Sequence, residues 1–412
     1  NQDMRGKIIL TLIILLTIKL NAQIINYTTS DGLINNYIEC LTVDINDNIW
    51  LGSANGVQMY DGVNWITYDQ ANYPGMISNN IKCITAMSNG DIWIGTDFGA
   101  NQLVSGVSGL MWLPYTNTNG LLSNQIKSID EDPNGGVWIG TNQGVSYFDG
   151  NNWMSYSSPE IHWSGVNSTA FDSNGDKWFS TPLGGIIHFD GVNFTTYDTA
   201  DGLSSQVVRD ILIDDQDNKW IGTEYFMSVL DQTNNSWIEH VEMFTLLPPH
   251  DSINPVVDIE IDSYGNIWTG VYVGYLGEGG IAYLNNSQWN DYHVSDGLVG
   301  PNIKDLSIDS QNNVWIATST GISKITAVPS NISNTDIELI IFPNPCTDFI
   351  YLTTKGSLIN SVDLYDNLGR LIYTNKKDRF SYSIETTNLK SGIYFLTLNI
   401  YDEVVRKKII IE

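Results

Sequence analysis

The sequence predicts an all-β protein, a seven-bladed β-propeller followed by a small Ig-like β-sandwich. Three observations carry that prediction. A Trp behind a turn signal recurs seven times at spacings of 40 to 48 residues. The segments between are short alternating runs punctuated by Gly, Asn and Asp, and after residue 328 the repeat stops, with a different strand-rich pattern beginning at 338. Composition agrees: 36 Gly, 13 Trp and 21 Tyr among 412 residues, with only 16% charged, describe a β-rich globular chain.

At the N-terminus, Arg5 and Lys7 precede an apolar run from Ile8 to Ile18, and Ala22 ends a small-residue cleavage site. Residues 1–22 therefore read as a secretory signal peptide, with the mature chain starting at Gln23. The run is shorter than the roughly 20 apolar residues that a membrane-spanning helix needs.

The repeat occupies residues 23–328. Its Trp residues are Trp50, Trp93, Trp138, Trp178, Trp220, Trp268 and Trp315, in contexts such as NIWLGS, DIWIGT and NKWIGT. Each unit has room for four strands, as a propeller blade requires. In the second unit these are IKCITAM, IWIGT, GANQLV and LMWLPYT, with SNGD as the first turn. A second aromatic marks the outer strand at Trp65, Trp112, Trp153, Phe194, Trp237 and Trp289, where a large ring fills the widening wedge between blades. The seventh unit lacks its outer strand, whereas residues 25–33 look like an outer strand with no blade of their own. Pairing that segment with GISKIT closes the ring and hides a sheet edge.

Ten residues before each Trp stand Cys40, Cys83, Ser128, Ser168, Asp210, Asp258 and Asp305, and nine before stand apolar residues or Thr169. Strand alternation sends the two sets to opposite sides. Asp210, Asp258 and Asp305 are thus expected to border the axial channel as neighbouring carboxylates with raised pKa values. The competing expectation is that each Asp caps backbone at the start of its own strand. Cys40 and Cys83 are expected as free thiols, since neighbouring blades seldom bring Cα atoms within the roughly 7 Å a disulfide needs.

Charge is uneven: residues 23–335 hold 35 acidic and 7 basic side chains, and residues 336–412 hold 10 and 9. A net of −28 on the repeat makes nucleic acid an improbable partner, since its phosphates would meet a strongly negative body. No C-x-x-C, H-E-x-x-H, G-x-S-x-G or P-loop spacing occurs, so no metal and no cofactor is expected. The Asp-rich turns at 172–176 and 214–217 resemble only the start of a calcium loop and read as hairpin turns.

Two insertions depart from the repeat, VEMFTLLPPHDSINP at 241–255 and VYVGYLGEGG at 271–280, both expected on the loop face. With the irregular link before blade four they offer His162, Trp163, Phe244, His250, Tyr272, Tyr275 and Glu278 as candidate ligand-binding residues for a glycan or protein. The expected function is recognition by a monomer. One alternative is a propeller-type glycan lyase or hydrolase using His250 or His162 with Glu278 or Asp251. Another is a structural adhesin.

Residues 329–337 form a polar linker, and 338–412 follow as IELIIFPNPCTDFIYL, VDLYDNLGRLIY, IETTNLKSGIYFLTL and VVRKKIIIE, about seven strands. The blades, with their D-x-x-G-N-I-W-I-G-T core and closing D-G-L, resemble the two-component regulator propeller family. The tail resembles the type A C-terminal sorting domain of the type IX secretion system. Phe342, Pro343, Asn344, Pro345, Gly369, Arg370, Gly392, Tyr394, Lys407 and Lys408 carry that second resemblance. It implies handling by the type IX machinery, and a secreted or surface-anchored location across the outer membrane of a Gram-negative bacterium.

Overall fold

The structure is a computed structural model. It describes residues 23–326 except 107–108, 242, 246–253, 275 and 286, and residues 339–411 except 343–344, 355–358, 367–369, 378, 380, 388 and 401–402. Residues 1–22, expected as a signal peptide, and the whole of the expected linker 329–337 lie outside the described residues. The chain divides into two compact units between Val328 and Pro329.

In the first unit, seven antiparallel four-stranded sheets follow one another, each with its strands in sequence order from the axis outward, save for the last. Blade one shows the plan: Ile38–Val43, Ile49–Ser53, Gly56–Tyr60 and Trp65–Tyr68. The seventh sheet takes Ile303–Ile308, Val314–Thr318 and Gly321–Ile325 from the end of the repeat and Ile24–Tyr27 from its beginning. The register runs from Ile24 opposite Ile325 to Tyr27 opposite Ile322, and the inner strand of blade seven packs against that of blade one. The ring is closed by a strand 300 residues away in sequence.

The apolar core lies between blades rather than within them. Cys40, Trp50 and Tyr68 of blade one meet Ile81, Ile94 and Trp112 of blade two in one buried cluster, and six analogous clusters complete the circle. Close packing explains the Gly two residues after the repeat Trp. A Cβ on Gly52, Gly95 or Gly222 would stand 2.4 to 2.6 Å from side-chain atoms that include the first inner-strand residue of the next blade, namely Ile81, Ile126 or Val256. In the D-G-L links, Gly32 and Gly202 combine positive φ with a ring of the following blade, since an added Cβ would lie 2.6 Å from Trp65 or Trp237.

Each hairpin turn is tied to its Trp. The Asp six residues earlier accepts the indole N–H in six blades, at 2.9 to 3.1 Å, from Asp44–Trp50 through Asp309–Trp315. Its other oxygen caps turn amides; Asp262 Oδ1 accepts from the N–H groups of Tyr264 and Asn266, both at 2.9 Å. Blade two carries buried Met87 at this position. Because Asp262 and Trp268 are both buried, Asp262→Ala strands an indole N–H together with two amides. The expected loss is about 2 to 3 kcal/mol in urea unfolding, against less than about 0.5 for Asp215→Ala at an exposed turn position.

The second unit pairs a three-stranded sheet (Leu339–Phe342, Phe349–Thr354, Ser381–Glu385) with a four-stranded one (Leu371–Asn375, Ile359–Tyr365, Gly392–Ile400, Glu403–Ile411). They share one core, in which Ile350, Leu352 and Ile384 face Val362, Leu364, Leu396 and Ile409. Cys346 is buried at its edge, and all three cysteines are free.

Candidate functional site

The inner strands of all seven blades surround a cavity of about 560 Å³ on the axis. Asp210, Asp258 and Asp305 line it, joined by Asp130 and Glu260 two residues further along their strands. Each of the first three reaches a backbone amide on the following blade. Asp210 Oδ2 accepts from Ile259 N–H at 2.9 Å, Asp258 Oδ2 from Leu306 N–H at 2.7 Å and Asp305 Oδ2 from Leu41 N–H at 2.7 Å. Ser168 Oγ does the same for Ile211 N–H at 3.1 Å. Both sequence expectations are thereby amended. These residues do border the channel, yet their amide partners lie chiefly across the blade junction rather than at the start of their own strand; the bond from Leu306 N–H to Asp305 Oδ1, at 3.1 Å, is a local exception.

Enclosure sets their acidity. Protein surrounds these carboxyls on the cavity wall, and a charge there is poorly solvated. Burial raises the Asp210 pKa, and it raises that of Asp258 well above the usual carboxylate range, with the charges of Asp305 and Asp210 adding to the effect. Asp305 is raised by burial too, although hydrogen bonds from Asp258 and from the amides of Leu41 and Leu306 oppose the rise. Asp258 stands within hydrogen-bond reach of both Asp210 and Asp305, and these bonds lower the pKa of its two neighbours while the one with Asp305 raises its own. Burial, then neighbouring acids, pushes Glu260 up to about 8. Burial pushes Asp130 up to about 7, opposed by its bond from Ser128.

The loop-face candidates are not gathered into this cavity. Trp163 is 67% exposed, its ring 5.2 Å from that of half-buried His162, whose Nδ1 bonds Ser164 Oγ at 2.7 Å rather than a carboxylate. Phe244 is corrected from surface to core. Only 6% exposed, it packs with Met243 and Val271 and stacks 4.4 Å from His293. Buried Asn254 fixes that link, its Oδ1 accepting from the N–H groups of Met243 and Phe244 at 3.0 and 2.9 Å.

The second insertion is a longer hairpin: Ile267–Val273 pairs with Glu278–Asn285, and Tyr272 lies opposite Gly279, half-buried like Glu278. His250, Asp251 and Tyr275 lie outside the described residues. His293 stands at the N-cap of a short 3₁₀ turn, Val294–Asp296. Asp172, Asp176 and His188 each bring one ligand atom within 4.8 Å of the others. Asp172 is already taken by the Trp178 indole and turn amides, and Asp176 bonds His188 Nε2 at 2.9 Å, so the group serves the hairpin.

In the second unit the motif residues do structural work. Asp366 accepts from the backbone N–H and Nε–H of Arg370, closing a hairpin. Tyr394 is buried and its hydroxyl bonds Lys390 O at 2.9 Å. Phe342 is exposed and stacks on Tyr351, and Pro345 is exposed. Gly392 opens the strand that pairs with the one bearing the exposed Lys407 and Lys408. Pro343, Asn344 and Gly369 lie outside the described residues.

Residues 340–412 match the family model described as a secretion system C-terminal sorting domain, and residues 120–143 match the two component regulator propeller. The second match spans the link, inner strand and second strand of blade three. A search of curated proteins found no match.

Among solved structures, one similar chain is the extracellular domain of a protein described as a hybrid two component system from B. thetaiotaomicron. It is 16% identical with a TM-score of 0.63, over 95% of this chain and 57% of that one. This chain therefore spans little more than half of that structure. Virginiamycin B lyase from Staphylococcus aureus, crystallised in an inactive form with quinupristin, is 16% identical with a TM-score of 0.58, over 74% and 99% of the two chains. YCF48 bound to D1 peptide is 12% identical with a TM-score of 0.54, over 74% and 97%. These likenesses show the propeller fold.

Proposed function

We propose that this protein is a recognition module, exported by the type IX machinery through its C-terminal domain, whose propeller holds a glycan or protein ligand at its loop face outside the cell. The observation that carries this reading is the match of residues 340–412 to a sorting domain, on a chain whose other unit is a propeller. A propeller presents its links and hairpin turns on a rigid frame, which suits binding. Catalysis is less well supported, because acid-base chemistry needs two groups within reach of one substrate pose. His162 is bonded to a serine.

Export is tested in a bacterium with a type IX system by comparing the full chain with one ending at residue 337. Antibody to the propeller should find the full chain on the surface or in the medium and the shortened one in the periplasm. Equal export of both would remove the tail from the argument. Binding is tested by a broad glycan array, on which retention without turnover is expected.

A further inference from the structure

The propeller region has only seven basic side chains against 35 acidic ones. Three of the seven, Lys177, Lys219 and Lys324, lie over the blade tryptophans Trp138, Trp178 and Trp315 with Nζ 4.6 to 5.9 Å from the ring centre. The other four, Lys82, Lys127, Arg209 and Lys304, share one place in the repeat, eleven residues before the Trp, and all four line the axial cavity. Chance placement on so acidic a surface would scatter them.

The cause of their orientation is a β-bulge. In each of these blades the ladder between first and second strands slips by one residue, at Ile81/Cys83, Ile126/Ser128, Val208/Asp210 and Ile303/Asp305, and the extra residue is the cation. A bulged residue leaves the strand's alternation and its side chain is re-aimed. Here it points into the end of the cavity where the links enter.

An exposed aromatic lies under one of these cations, and for the other three it is the chain neighbour of a residue the cation interacts with. Lys304 Nζ lies 4.9 Å above Tyr37. Lys127 Nζ bonds the carbonyl of Ser164 at 3.1 Å, next to Trp163. Lys82 pairs with Asp97 at 3.5 Å, next to Phe98, and Arg209 feels the charge of Glu224, next to Tyr225. Tyr37, Phe98, Trp163 and Tyr225 are all largely exposed. Asp97 and Glu224 partly satisfy two of the cations. Among the described residues Lys127 and Lys304 have no carboxylate partner, and they stand on blades three and seven, across the mouth from each other.

We propose that this mouth binds an acidic oligosaccharide, with carboxylates on Lys127 and Lys304 and pyranose faces on Trp163 and Tyr37, and with Lys82 and Arg209 flanking. The proposal rests on the reading of the propeller as an exported binding module and names its ligand class. A uronate carries its carboxylate rigidly on the ring that stacks, so charge and apolar face arrive together. An acidic peptide would present carboxylates on flexible stems, each losing rotamer freedom on binding, and has no ring face to cover an aromatic. The span from blade three to blade seven calls for several sugar units.

The test is calorimetric titration of residues 23–412 with tetragalacturonate, its methyl ester and a hexaglutamate peptide. Tetragalacturonate should bind, and Lys127→Gln and Lys304→Gln should each weaken it about ten-fold, because a charge-assisted bond is lost. Lys127→Arg and Lys304→Arg should retain binding, which separates lost charge from lost folding. Binding that ignores both Gln substitutions would overturn the mouth as the site. Preference for the ester or the peptide would overturn the ligand class, and in each case the reading as a binding module stands. Silence towards all three would overturn the proposal, while export and the wider glycan array judge that reading separately.

Discussion

Deleting residues 23–28 is expected to destabilise the propeller more than any single substitution in a blade, by on the order of 5 kcal/mol, and to make the protein aggregate. The segment supplies the outer strand of the seventh sheet. Its four residues pair in register with Ile322–Ile325. Tyr27 packs 5.6 Å from Tyr60, 5.9 Å from Trp65 and 5.8 Å from Trp315, so one side chain joins blades one and seven. Gln23 N–H also bonds Thr326 Oγ1 at 2.9 Å, and Asn26 Nδ2 bonds Gly297 O at 2.8 Å. Without these, Gly321–Ile325 becomes a bare edge and the junction that closes the circle loses its outer half. Thermal melts and light scattering on chains starting at Gln23 and at Thr29 give the comparison. Equal midpoints would mean that the inner-strand bond from Leu41 N–H to Asp305 and the cluster around Leu41 and Trp315 hold the ring unaided.

That closure was legible because sequence resemblance within the chain identified a stray outer strand, and strand pairing has few other ways to use one. The repeat Trp residues were legible for a similar reason: a large side chain at fixed spacing needs a fixed pocket. The Asp six residues before six of the seven Trp residues shows in the sequence as a turn residue. Its bond to the indole depends on the curl of the hairpin, which composition does not report. Phe244 was misplaced because an insertion with Pro and polar residues reads as surface, and only folding reveals that buried Asn254 stitches it down. At 271–280 the insertion itself was legible, but not that it lengthens the strands as well as the turn, with Val271 and Val273 continuing strand alternation and fully buried.

The cations at the mouth were the clearest missed signal. Lining up the seven repeats places Lys82, Lys127, Arg209 and Lys304 in one column, immediately before the column of Cys40 and Asp210. Simple alternation assigns that column to the apolar side. The bulge reverses the assignment, and bulges arise from pairing between strands, which a single strand's pattern does not encode.

The cavity acids lead to a dependence on pH that runs opposite to ordinary acid denaturation. Asp130, Asp210, Asp258, Glu260 and Asp305 all have raised pKa values in the folded protein, with burial the largest cause in each. Between the usual carboxylate range and the raised values, the native state keeps protons that the unfolded chain has released. Stability therefore falls as pH rises through that window, from about 4 to about 8, by at most about 1.4 kcal/mol per pH unit for each proton retained. Surface turn acids act the other way. Backbone and side-chain bonds hold Asp61, Asp149 and Asp231 below the usual value, and Asp190 at about 2, so what they add is present above the usual range and lost as pH falls below it. A maximum between pH 4 and 6 is expected.

Glu260→Gln isolates the effect. Asp210, Asp258 and Asp305 each accept a cross-blade amide, so replacing any of them also cuts a junction. Glu260 is raised to about 8 with only its own strand's Ile261 amide as a stabilising bond. The Gln variant keeps the shape and removes the charge. Its urea midpoint should match that of the unsubstituted protein at pH 5 and exceed it at pH 8.5 by a few kcal/mol once multiplied by the slope of the transition. Two parallel curves across that range would mean that the Glu260 carboxylate is fully solvated in the cavity, and the account of the buried acids would fail with it.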